Sequence, residues 1–215
     1  MKKLIACLFA SVMFFANPVL ADLAIGVTAN FSSIDTDGSE TELSGDLEKT
    51  TASFSEDVVI PEMFVEAIAD NGWTLGLAYV PVRELGTKTR TDTSPTADTE
   101  TADAGDYKAS AELESLVMLY TDIPIVMGTY IKLGVQRASL LTTESLDGGN
   151  DYDDADLLGY TVGAGYRGTL GEAFYKAEVS YTDFDEYSDI STSLVHKVVA
   201  DTEITSVRLS AGFTF

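Results

Sequence analysis

Nine ionisable side chains stand at alternate positions within otherwise apolar or small-residue stretches. Glu62, Glu66, Glu112, Glu114 and Glu178 are acids, and Lys132, Arg167, Lys176 and Arg208 are bases. Acids and bases that share an enclosed space can pair with one another, because a buried charge left unpaired costs several kcal/mol. They can also line a path for ions, as carboxylates do in cation channels. Five acids against four bases sum to −1, which favours a plug of mutually satisfied charges in a lumen, with Arg208 and Glu178 the best pair. A narrow pore lined by the same groups is the alternative.

Two further constellations invite chemistry. Asp147, Asp151, Asp153, Asp154 and Asp156 follow Glu144 in a stretch without a base, and clustered oxygen donors suit calcium or magnesium. The run Asp147-Gly148-Gly149-Asn150-Asp151-Tyr152-Asp153 does not follow EF-hand spacing, so a solvated acidic loop is expected there and no metal site. His196 is the single histidine, and Ser191, Ser193, Asp201 and Glu203 near it are types found in any polar loop. The His-x-Ser pattern of a lipid deacylase fails because residue 198 is Val198. No catalytic residue, no cofactor and no enzymatic activity are expected.

The elements that must position these side chains are strands. Residues 23–31 place apolar side chains at odd positions and small or polar ones at even positions, and this period of two returns seven more times. Val59, Met63 and Val65 alternate with Glu62, Phe64 and Glu66, and Trp73, Leu75, Leu77 and Tyr79 with Thr74, Gly76 and Ala78. Near 110–121, Leu113, Val117 and Leu119 are set against Glu112, Glu114 and Tyr120, although Leu116 and Met118 blur that register. Later strands set Ile131, Leu133 and Val135 against Lys132 and Gly134, and Leu158 to Tyr166 against Gly159 to Arg167. Tyr175 to Tyr181 oppose Lys176 and Glu178, and Val207 to Phe215 oppose Arg208 and Gly212. Connections alternate in length. Asp70-Asn71-Gly72, 122–128 and 168–172 are short turns, whereas 33–57, 83–109, 140–156 and 183–202 are long and polar. Segment 83–109 could rise as a hairpin and present an edge to partners, and Arg83, Lys88, Arg90 and Lys108 could meet phosphate groups there.

The N-terminal residues imply export. Met1, Lys2 and Lys3 precede an uncharged run from Leu4 to Ala16, with Val19 and Ala21 small before a cut, so residues 1–21 read as a cleaved secretory signal peptide and 22–215 as one domain. Cleavage removes Cys7, the only cysteine, and with Lys2 and Lys3 gone the 13 basic residues fall to 11 against 35 acidic ones, a net of −24. Nucleic acid is thereby excluded as a partner. No later apolar run approaches the roughly 20 residues of a spanning helix, so a membrane-spanning form must be a closed sheet.

Residue size tells which face meets lipid. Gly26, Gly76, Gly134, Gly159, Gly163, Gly165 and Gly212 lie on the polar face, where they relieve crowding inside a narrow cylinder. The bulky apolar face then points outward, with Arg137 its one charge. On it, Trp73 and Tyr79, Tyr160 and Tyr166, and Tyr175 and Tyr181 are each six residues apart. That spacing rises about 15 Å at a tilt near 40°, against an apolar band of about 25 Å, so the rings stand near the two interfaces as girdles. Phe31 joins the outer girdle.

The final stretch Val207-Arg208-Leu209-Ser210-Ala211-Gly212-Phe213-Thr214-Phe215 resembles the closing strand of outer-membrane barrels, with a terminal Phe and an aromatic residue two positions before it. The chain is similar in plan to the class that includes the outer-membrane protein A membrane domain, proteins X and W and the opacity adhesins. The resemblance implies an all-β, eight-stranded antiparallel up-and-down transmembrane barrel in the bacterial outer membrane. It further implies that the barrel-assembly machinery reads Phe213 and Phe215. A monomer with a structural, envelope-integrity or cell-surface role, in contact with outer-membrane lipid and lipopolysaccharide, is expected. A narrow channel for small or apolar solutes is the alternative.

Overall fold

Alternating side chains along extended backbone need a partner for every N–H and C=O, and here neighbouring strands supply them. The computed structural model describes residues 22–43, 49–92, 105–145, 155–190 and 196–215. The expected signal peptide and Asp147, Asp151, Asp153 and Asp154 lie outside the described residues. Ten strands follow in chain order: β1 (Asp22–Glu42), β2 (Lys49–Ile68), β3 (Thr74–Val80), β4 (Arg83–Asp92), β5 (Gly105–Pro124), β6 (Thr129–Ser145), β7 (Ala155–Leu170), β8 (Ala173–Phe184), β9 (Tyr187–Ile190) and β10 (His196–Thr214). All pairings are antiparallel, and β1 also pairs with β10, which closes the sheet into a barrel. Since β3 and β4 both pair with β5, and β8 and β9 both pair with β10, each couple forms one stave, and the ten strands make eight staves.

Register sets the dimensions. Starting at Ile25, the partners run through Val65, Leu77, Leu119, Val135, Tyr160, Asp183 and Glu203 and return to β1 at Asp35, ten residues along. Eight staves with that stagger tilt by about 40° and leave a lumen that side chains fill. Short turns close one rim, with Gly72, Gly128 and Gly171 at positive φ. At the other rim the strands run far into the segments expected to be loops: β1 reaches Glu42, β2 begins at Lys49, and β4 pairs with β5 over Arg83–Asp92 as a hairpin.

Between β2 and β3 the ladder opens into a seam. β2 and β3 pair from Ile68↔Thr74 to Met63↔Tyr79 and no further. Two positions on, the same register would set Pro61 against Pro81, and neither can donate a hydrogen bond. Beyond that point β2 is laddered to β1 alone and β4 to β5 alone among the described residues.

Candidate functional site in the barrel lumen

Inward side chains meet in an alternating chain of charges. Arg167 Nη1 lies 2.6 Å from Glu66 Oε2, and Lys176 Nζ 2.7 Å from Glu66 Oε1. Lys176 also binds Asp122 Oδ2. Lys132 Nζ stands 3.2 Å from Asp122 Oδ1 and 3.2 Å from Glu178 Oε2. Arg208 Nε is 3.2 Å from Glu178 Oε1, and its Nη2 donates to Glu62 Oε1. Base and acid thus alternate from Arg167 to Glu62, four of each, with a sum of zero. Asp122 Oδ1 and Glu178 Oε1 receive no aligned hydrogen bond and depend on the bases facing them.

Aromatic side chains fill the space around the charges. Tyr120 donates to Glu66 at 2.8 Å and Tyr130 to Glu178 at 2.8 Å. Lys132 Nζ lies 3.5 Å from the centre of the Tyr120 ring, and Arg167 Cζ 3.8 Å from that of Phe174. Among the described residues each fully buried ring faces a glycine directly across the ladder: Phe64 with Gly26, Tyr120 with Gly76, Tyr130 with Gly165, Phe174 with Gly212 and Phe184 with Gly159. A Cβ at Gly165 would stand 2.5 Å from the Tyr130 hydroxyl, so the glycines are the sockets that let rings lie against the wall.

Seven of the nine charges singled out by spacing occupy this lumen, including the Arg208–Glu178 pair, whose residues are direct cross-strand partners. Glu114 does not. The β5–β6 register shifts between Leu113 and Ser115, and the extra residue of that bulge inverts the faces. Glu114 is therefore exposed and Leu113 buried, the reverse of the expectation. Glu112 lies beyond the same bulge, and its side chain is outside the described residues. Asp122, expected in a turn, is buried in β5 between two lysines. Leu116 and Met118, which blurred the alternation, are buried on the inward face with Tyr120, on the turn-rim side of the bulge.

The outer surface carries the decisive observation. Leu23, Ile25, Val27 and Phe31 on β1, Met63 and Val65 on β2, Leu75 and Leu77 on β3, and Val207, Leu209 and Phe213 on β10 are all exposed. From Leu23 to Phe31 the wall rises about 20 Å at the barrel's tilt, and exposed Ile125, Val126, Met127 and Leu170 at the turn rim extend the belt toward the thickness of a hydrocarbon core. Such a belt has no stable place in water. The chain is a transmembrane β-barrel of the outer-membrane type.

The seven aromatic side chains expected in the girdles lie on the outer face. Phe31, Trp73, Tyr79, Tyr166, Tyr175 and Tyr181 are exposed and Tyr160 is half-buried, with Tyr166 and Tyr175 6.2 Å apart between ring centres. Phe213 and Phe215 project from the turn rim, and the Phe215 backbone is held by Leu23 at 2.7 Å. Above the belt the first outward charges include Asp35, Asp57, Glu114, Asp183 and Glu203. Asp156, expected in a loop, belongs to β7 and takes hydrogen bonds from Arg137 and Ser139, each at 2.7 Å. Those two donors, Arg137 first, hold its carboxyl below the usual range. It is engaged with Arg137, not free as a loop ligand. His196 opens β10 opposite Glu42, and its side chain is outside the described residues.

The sequence matches no protein-family model and none of the curated proteins compared with it. Among solved structures, the chain is similar to the outer membrane protein OprG from Pseudomonas aeruginosa, with 15% identity, 89% of this chain and 95% of that one covered, and a TM-score of 0.47. It is also similar to the outer membrane protein AlkL (18%, 93% and 92%, TM-score 0.48) and to the outer membrane protease OmpT from Escherichia coli (12%, 90% and 97%, TM-score 0.44). At these values the barrel's own register and surface carry the fold assignment.

Proposed function

We propose that the protein is a non-conducting, non-enzymatic barrel of the bacterial outer membrane, exported after loss of residues 1–21. In this reading it is a monomer that stabilises the envelope or presents its acidic hairpins at the cell surface. The observation that supports this is the alternating charge chain. Seven ion-paired links join eight buried or part-buried side chains, so no ionisable group along the chain is left to accompany a passing ion. Outer-membrane lipid meets the belt, lipopolysaccharide meets the hairpin rim, and the barrel-assembly machinery reads Phe213 and Phe215.

Planar-bilayer recording of the purified protein tests the reading. Absence of steady ohmic conductance is the expected result. Steady conductance that falls when Glu62 is replaced by Gln would establish the channel alternative in its place.

A further inference from the structure

Between the charge chain and the hairpin rim the lumen changes chemistry twice. First comes a band of hydroxyls and amides. Ser32 donates to Asn30 Oδ1 and meets Ser206, both at 2.9 Å, and Thr161 meets Thr182 at 2.8 Å. On β7, β8 and β10 an apolar side chain follows that band toward the hairpin rim, and on β2, β3 and β5 one turns inward level with it, Ile60 directly across from Asn30. Ile60 of β2, Val80 of β3, Leu116 of β5, Leu157 of β7 and Phe184 of β8 are buried, and half-buried Ile204 of β10 packs against them. Leu113, turned inward by the β5 bulge, thickens the layer. Ile60 and Val80 also stand at the seam, on the two staves that lose their ladder beyond Met63↔Tyr79.

We propose that this layer is a second seal in series with the charge chain. It closes the lumen toward the hairpin rim and packs shut the seam where Pro61 and Pro81 end the hydrogen bonding. The proposal rests on the non-conducting reading above and extends it. The two seals exclude ions by different physics. The charge chain works by mutual neutralisation and fails at any point where one partner is removed, because the orphaned charge draws water. The apolar layer works by remaining dry and has no charge to lose. Breaking one seal therefore hydrates the lumen from one rim only.

A cysteine reporter between the seals tests this. Cys7 is the only cysteine of the sequence and lies in the segment expected to be cleaved, so Thr161→Cys supplies a single thiol in the hydroxyl band. Refolded barrel in vesicles is treated with a charged, membrane-impermeant thiol reagent from each side in turn, with heat-modifiable gel mobility confirming the fold. The reporter alone is expected to stay unlabelled from both sides. Adding Arg208→Ala should turn this into complete labelling from the turn rim and none from the hairpin rim. Adding Leu157→Ser, or Phe184→Ser should the first not fold, should produce the mirror result.

Labelling from the hairpin rim in Arg208→Ala, or in the reporter alone, means that no outer seal exists. If the reporter alone labels from the hairpin rim and the protein still carries no current, the second seal falls while the charge plug stands. Steady current through the unaltered protein removes both. Labelling of the reporter alone by an uncharged, lipid-soluble maleimide, when the charged reagent fails, means that the seam admits apolar molecules and overturns the seal at that point.

Discussion

Glu66 illustrates what a buried carboxylate requires. It accepts from Arg167, Lys176 and Tyr120, and its side chain is wholly enclosed. Removing it strands Arg167 and leaves Lys176 with Asp122 alone, and breaking a buried pair from one side costs about 3–5 kcal/mol. Glu66→Ala is expected to lose that much in urea unfolding from lipid vesicles. Glu66→Gln, which keeps the Tyr120 hydrogen bond, should lose less. Glu114→Ala is the matched control: the bulge puts Glu114 on the surface, where substitutions stay within about 0.5 kcal/mol. A large loss at Glu114 would mean that it faces the lumen after all. Asp156 is held ionised by Arg137 and Ser139, so the stability it lends is present above the carboxyl's unfolded pKa and fades as pH falls through its lower folded value. Because the pair is exposed, Asp156→Asn should leave the unfolding midpoint at neutral pH almost unchanged.

Among the elements, glycine and proline decide where the wall can be thin and where it can open. Gly26 and Gly212 face each other across β1 and β10, each with a phenylalanine ring against it. A Cβ at Gly26 would come within 2.6 Å of the Ala211 carbonyl, whereas at Gly38 its nearest neighbour is 3.7 Å away. Gly26→Ala should cost about 1–3 kcal/mol through overpacking, and Gly38→Ala should be tolerated; equal unfolding midpoints would refute the socket role. At the seam, Pro61→Thr with Pro81→Thr restores two N–H groups at opposed positions. The β2–β3 ladder should then extend, seen as slowed amide hydrogen exchange at residues 59–61 and 80–82. Unchanged fast exchange would show that something other than the prolines stops the ladder.

The whole molecule is an inverted globule, with an apolar exterior and ionic pairs inside. Only a bilayer or detergent makes that arrangement stable. The folded protein should run as a compact band on unboiled gels in detergent and shift on boiling. Recovery as a detergent-free, water-soluble monomer would contradict the belt formed by β1, β2, β3 and β10. Closure depends on β1 meeting β10 along nearly their whole lengths, from Ala24↔Thr214 to Glu42↔His196, so truncating either strand should abolish the heat-modifiable form and not merely lower stability.

Strand identity, the outward face, the short turns and seven members of the lumen network were legible from sequence. Each follows from a local rule: period two separates the faces, and glycine marks the crowded side. Register across strands is not local. The β5 bulge reverses which of Leu113 and Glu114 faces inward, and it can be seen only against β6. Asp122 reads as a turn former until Lys132 and Lys176 are found on either side of it. The glycine–ring sockets and the opposed prolines are pairs on neighbouring strands, so the register between strands brought them together. Composition and alternation determined that this chain crosses a membrane as a barrel. The tertiary structure decided which charges neutralise which, because partners within about 3 Å are a property of the closed ring and not of any strand in it.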